Sequence, residues 1–185
     1  NNIRNIAVLG HGGKGKTTLC VAMLYLAGAT DRLGKVADGN TVLDFDAEEK
    51  RRKSSVSSAM AAIEWDNTKL NIIDAPGLFD FENGAAEAVR AAEAVLIVTS
   101  AGSGVDVGTE KAFKAAEKRG LAKFFAITKT DSDHRSFYKT FEALKEVYGN
   151  KLCPTIIPYM EGNITKSYVN LMTGMAYEYD EEGKA

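Results

Sequence analysis

The chain has 185 residues, 45% of them hydrophobic and 26% charged, with a formal net charge of −2. These proportions suit a folded domain with a core of its own and exclude disordered, collagen-like and membrane-spanning classes. The near-neutral balance leaves no electrostatic footprint for nucleic acid. Cys20 and Cys153 lie too far apart in sequence for metal-ligand spacing, and the absence of a signal-peptide pattern points to a reducing cytoplasm.

In chain order, Ile6-Ala7-Val8-Leu9 reads as a buried parallel strand. It runs into Gly10-His11-Gly12-Gly13-Lys14-Gly15-Lys16-Thr17, which fits G-x-x-x-x-G-K-[ST]. A helix follows from about Lys16, with Leu19, Ala22, Met23 and Leu26 at i, i+3, i+4 and i+7 and Cys20 as a buried free thiol. Strand, glycine loop and helix in that order form the context a phosphate-binding loop needs, because backbone N–H groups must converge on phosphate oxygens at a helix N-terminus. His11, Gly12, Gly13, Lys14, Gly15, Lys16, Thr17 and Thr18 are therefore the candidate phosphate contacts. Lys16 reaches the β- and γ-phosphates, Thr17 takes a position on Mg²⁺, and the motif requires no cation at Lys14.

Gly28 ends the first helix, and residues 29–53 read as a mobile segment with a short helix near Glu48. Ser58–Trp65 and Lys69–Asp74 make a hairpin around Asp66-Asn67. Alternation follows: helix 84–92, strand 94–99, helix 109–119, strand 121–128 and helix 136–148, the last with a core stripe of Phe137, Phe141, Leu144 and Tyr148. Such alternation implies an α/β fold, a doubly wound and mostly parallel sheet covered on both faces. After Leu152 the texture changes to a short β-like Thr155-Ile156-Ile157, a loop, and strand material over Ser167–Tyr179.

Two further motifs end strands. Asp74-Ala75-Pro76-Gly77 matches D-x-P-G, with Asp74 placed to hold Mg²⁺ through water and the Gly77 amide placed to meet a γ-phosphate. Ligands of doubly wound sheets bind at that edge. Thr128-Lys129-Thr130-Asp131 resembles the guanine-reading N-K-x-D with Thr in place of Asn. Asp131 can accept from guanine's N1–H and exocyclic amine, a donor pair that adenine lacks, while the Lys129 stem can lie along the base.

With these residues in place, the chain resembles the GTPase domain of a translational GTPase, most closely elongation factor G and its paralogues. The similarity extends to Tyr25-Leu26-Ala27-Gly28, to Gly34–Gly39, to Ile63-Glu64-Trp65 and to Ser103–Lys111. It implies a Ras-like phosphate-loop fold, GTP and GDP with Mg²⁺ as ligands, the ribosome as partner, and Lys16 and Gly77 as catalytic groups. Residues 30–57 become a first switch and 75–92 a second.

The sequence departs from that family at four places. Gly13 replaces an Asp. Arg52-Lys53-Ser54-Ser55-Val56 stands for R-G-I-T-[IV], so Ser55 replaces the metal-binding Thr. Leu78 stands where elongation factors have a His, and the family's S-A loop is missing. The resemblance thus divides the chain into a GTP-binding domain over 1–151 and the start of an inserted subdomain over 152–185, with a final strand and helix expected beyond it. Slow hydrolysis is expected from Leu78. The alternatives are a GTP-dependent binding switch with little catalysis, or a deviant phosphate-loop ATPase in which His11 would stand for a signature Lys.

Overall fold

A computed structural model describes residues 2–77, 82–131, 136–162 and 164–179. The chain divides into two compact units, Asn1–Ser100 with Asp106–Thr128, and Ala101–Val105 with Lys129–Ala185.

The first unit is a five-stranded sheet. Its strands are β1 (Ile3–Leu9), β2 (Ala59–Trp65), β3 (Thr68–Asp74), β4 (Ala94–Ser100) and β5 (Ala122–Thr128), in the order β2-β3-β1-β4-β5. β1 pairs in parallel with β3 and β4, and β4 with β5; only β2 runs antiparallel, against β3. That one exception follows from the hairpin. Asp66 and Asn67 both take positive φ, 45° and 56°, as a two-residue turn matched to strand twist requires.

Among the described residues, four α-helices belong to this unit: α1 (Lys16–Leu26), α2 (Ala47–Arg52), α3 (Glu82–Ala91) and α4 (Val107–Lys118). Successive residues of β1 point to opposite faces. Ala7 and Leu9 join Ile73, Val95 and Ile97 under Ala88 and Val89 of α3 and Ala112 and Ala116 of α4. On the other face Val8, Ile72 and Val98 lie under Cys20, Val21 and Leu24 of α1, with Leu43 and Ile63. The doubly wound expectation holds.

The buried stripe of α1 is rotated from the expected one. Cys20, Val21 and Leu24 are buried, whereas Leu26 is 70% exposed. Residues 19–26 are apolar all round apart from the Tyr25 hydroxyl, so their periodicity does not select a face and packing against the sheet does.

The second unit holds α5 (Phe137–Tyr148) and an antiparallel sheet of β6 (Ile156–Glu161), β7 (Ile164–Asn170) and β8 (Met175–Tyr177). Ser136 caps α5, Leu144 is buried, and Phe137 stacks on Phe141 at 6.2 Å. The strand material expected over 167–179 falls in β7 and β8, with a turn between them. Asn170 Oδ1 accepts from the N–H groups of Met172 and Thr173, and Gly174 turns with φ 70°. Asn and Gly supply the turn chemistry that ends β7.

Candidate functional site

The loop between β1 and α1 is shaped by its glycines. Gly15 is the N-cap of α1 with φ 89°, a left-handed conformation, and no side chain caps the helix. α2, α4 and α5, by contrast, are capped by Asp46, Asp106 and Ser136. The first N–H groups of α1 are thus not taken by a capping side chain, and its first turn carries no acidic residue. An anion is the partner such a helix end accepts most favourably.

Lys16 is buried, and its ammonium donates to the His11 carbonyl at 3.1 Å, folded over the loop. Burial lowers its pKa, while the carboxylates of Asp74 and Asp106 oppose the drop. Gly77 closes the same space: a Cβ there would stand 2.1 Å from Lys16 Nζ, 2.7 Å from the Gly10 oxygen and 2.9 Å from the Gly12 nitrogen. The D-x-P-G turn therefore lies directly on the phosphate loop, and only glycine fits.

Beside Lys16, three oxygen-bearing side chains from separate segments converge. The Thr17 hydroxyl donates to Asp74 Oδ2 at 2.6 Å and lies 3.1 Å from Ser55 Oγ, which donates to Asp44 Oδ1 at 3.1 Å. Each hydroxyl has one proton. With Thr17's directed to Asp74 and Ser55's to Asp44, the two hydroxyl oxygens turn lone pairs toward each other. Asp74 Oδ1 is buried with no hydrogen-bond partner among the described residues. Burial pushes the Asp74 carboxyl up to about 6, against the pull of Thr17 and Lys16 and with a further push from Asp44 and Glu49. The donors are all oxygen, which suits Mg²⁺ and does not suit soft metals.

Asp44 and Glu49 were not among the residues singled out from the sequence. Asp44 is 2% exposed and also accepts from Thr41 at 3.0 Å. Glu49 is 1% exposed; Oε1 accepts from the N–H groups of Val56 and Ser57, and Oε2 from that of Asp46. It thereby ties α2 to the stretch that presents Ser55. The signal was present as Asp46-x-x-Glu49, a capping box hidden inside a charge-dense run.

The remaining candidates divide. The Thr128 hydroxyl points to the Lys14 carbonyl at 2.7 Å and to that of Thr99 at 3.2 Å, so it braces the phosphate loop from β5. Lys14 pairs with Asp106 at 3.2 Å. Lys129, with φ 56°, and exposed Asp131 follow in the second unit. Leu78 lies outside the described residues.

Comparison with known proteins gives a consistent answer. The sequence profile of the elongation factor Tu GTP binding domain matches residues 1–182. An elongation factor G-like protein of Mycobacterium tuberculosis is 34% identical over 96% of this chain, and the match covers 24% of that protein. The mitochondrial ribosome-releasing factor 2 of Culex quinquefasciatus is 31% identical over 98% of this chain and 24% of its own length. A crystal structure of a Thermus thermophilus protein superposes with a TM-score of 0.91 at 36% identity, covering 97% of this chain and 27% of that one. The chain thus spans about a quarter of the length of these relatives.

Proposed function

We propose, from the premise that this chain belongs to the elongation factor Tu GTP-binding-domain family, that its residues bind GTP and GDP with Mg²⁺ and hydrolyse GTP in a protein that works on the ribosome. The observation that carries the reading is the convergence of Thr17, Ser55 and Asp74, with a partnerless buried oxygen, beside a helix N-terminus that no side chain caps.

In this reading the backbone N–H groups from Gly12 to Thr18 hold the phosphates and Lys16 swings from the His11 carbonyl to the β- and γ-phosphates. Thr17, Ser55 and Asp74 would hold Mg²⁺, which would supply positive charge against the charge that develops on the phosphate oxygens. The Gly77 amide meets the γ-phosphate, and residues 30–57 and 75–92 are the two switches that this phosphate orders and its loss releases. Residues 1–151 belong to the GTP-binding domain, and residues 152–185 begin a subdomain inserted in it. Free Cys20 and Cys153 suit a reducing cytoplasm, and no helix among the described residues is long and apolar enough to cross a membrane.

Asp131 selects guanine. Calorimetry should show GDP preferred to ADP by about 3 kcal/mol or more, with the preference lost in Asp131→Asn and all binding lost in Lys16→Ala. Equal affinity for the two nucleotides would refute the guanine assignment. Leu78 offers the attacking water neither donor nor acceptor, so single-turnover hydrolysis should stay at about 10⁻⁴ to 10⁻² per second and rise in Leu78→His. Turnover near 1 per second without the substitution, far above that intrinsic range, would refute it.

A further inference from the structure

The motif assigns Lys14 no task, yet the fold holds this residue at both ends. Its carbonyl accepts from Thr128 of β5. Its ammonium lies 3.2 Å from Asp106 Oδ2, with the two side chains only 15% and 19% exposed. Asp106 is itself fixed as the N-cap of α4: Oδ1 accepts from the Thr109 N–H at 2.8 Å and from the Thr109 hydroxyl at 2.9 Å, and Thr109 is wholly buried. The next residue but one presses on the loop as well. A Cβ at Gly108 would stand 2.6 Å from His11 Cα, so the first turn of α4 and the phosphate loop are in backbone contact. The loop is therefore clamped between β5 and α4 through one residue that lies two before Lys16.

We propose that Lys14 and Asp106 are positioning residues whose ion pair holds the phosphate loop in its binding conformation and so sets how slowly nucleotide leaves it. The inference rests on the nucleotide-binding reading above. Its physical basis is preorganisation: N–H groups already aimed at the phosphates lose little freedom on binding, whereas a loop released from α4 must be ordered by the ligand itself. The pair also occupies the Lys14 ammonium, leaving the phosphates to Lys16. A partly buried, charge-assisted contact is strong enough to show in a rate.

Asp106→Asn separates the pair from the cap, because an asparagine oxygen still accepts from Thr109. Release of a fluorescent GDP from Asp106→Asn and from Lys14→Met should each be roughly ten-fold faster than wild type. The double variant should be no faster than either single one, and Lys14→Arg should retain the slow rate. Melting temperatures report the structural contribution separately. Unchanged release with a lowered melting temperature would make the pair a stabilising contact only and overturn the proposal. So would faster release in Lys14→Met together with slower release in Asp106→Asn, which would mark Lys14 as a phosphate ligand that Asp106 restrains. If the wild-type chain bound no GDP, the nucleotide reading would fall and this one with it; binding with unaltered release in every variant overturns the clamp alone.

Discussion

Replacing Gly77 with Ala adds one methyl group where the structure has no room for it. The new Cβ would lie 2.1 Å from Lys16 Nζ, 2.7 Å from the Gly10 oxygen and 2.9 Å from the Gly12 nitrogen. The lysine tip can swing aside, but the other two atoms are backbone of the phosphate loop. Restoring ordinary contact with them requires a displacement of about half an ångström of either the loop or the D-x-P-G turn. No φ strain enters, because Gly77 is not among the residues with positive φ. Overpacking of this kind costs about 1–3 kcal/mol, which for a chain of this size lowers the melting temperature by roughly 2–10 °C. The functional loss should exceed the loss of stability, since Lys16 is pushed from its place and the loop is distorted where it meets phosphate. GDP affinity measured by fluorescence titration should fall about ten-fold or more. A Gly77→Ala chain with wild-type melting temperature and wild-type GDP affinity would show that the turn does not rest on the loop.

Two further outcomes test the buried carboxylates. Glu49→Ala takes the acceptor from the N–H groups of Asp46, Val56 and Ser57, all in part-buried bonds, and should lower the unfolding free energy by about 1–3 kcal/mol in urea titrations; an unchanged unfolding free energy would contradict its role in holding Ser55. Asp74 has a folded pKa of about 6, raised by burial above the ordinary carboxylate value. Asp74 in the metal-free folded chain then binds a proton more tightly than in the unfolded chain, so its contribution to stability is fully present at or below about pH 4 and is lost as pH rises through 6, by up to about 3 kcal/mol. Melting curves in chelator for wild type and Asp74→Asn isolate this contribution: the difference between them should shift across that window, and GDP with Mg²⁺ at neutral pH should reverse it. A pH-independent difference would place Asp74 outside the buried cluster.

The phosphate loop, the hairpin turn and the strand–helix alternation were all legible in the chain because each is a local device. Glycines at fixed offsets, Asp66-Asn67 between apolar strands, and period-2 or period-3.6 patterns act over a few residues, and neighbouring side chains suffice to specify them. The resemblance carried further, assigning Ser55 and Asp74 to one site although 18 residues separate them in sequence. Which side chains of residues 29–53 turn inward was not legible. Their charge density reads as a solvated run, and only the sheet and α1 behind them create the interior into which Asp44 and Glu49 turn. The buried face of α1 was equally undetermined, since a helix apolar nearly all round takes its orientation from what it packs on. Thr128 shows the same division. Its place at a strand end was readable, but its aim at the Lys14 carbonyl depends on the parallel pairing that sets β5 beside β4, a contact across 114 residues of sequence. Lys14 itself looked dispensable because a motif records what touches the ligand, whereas a clamp between loop and helix exists only once the sheet has brought Asp106 to within 3.2 Å of it.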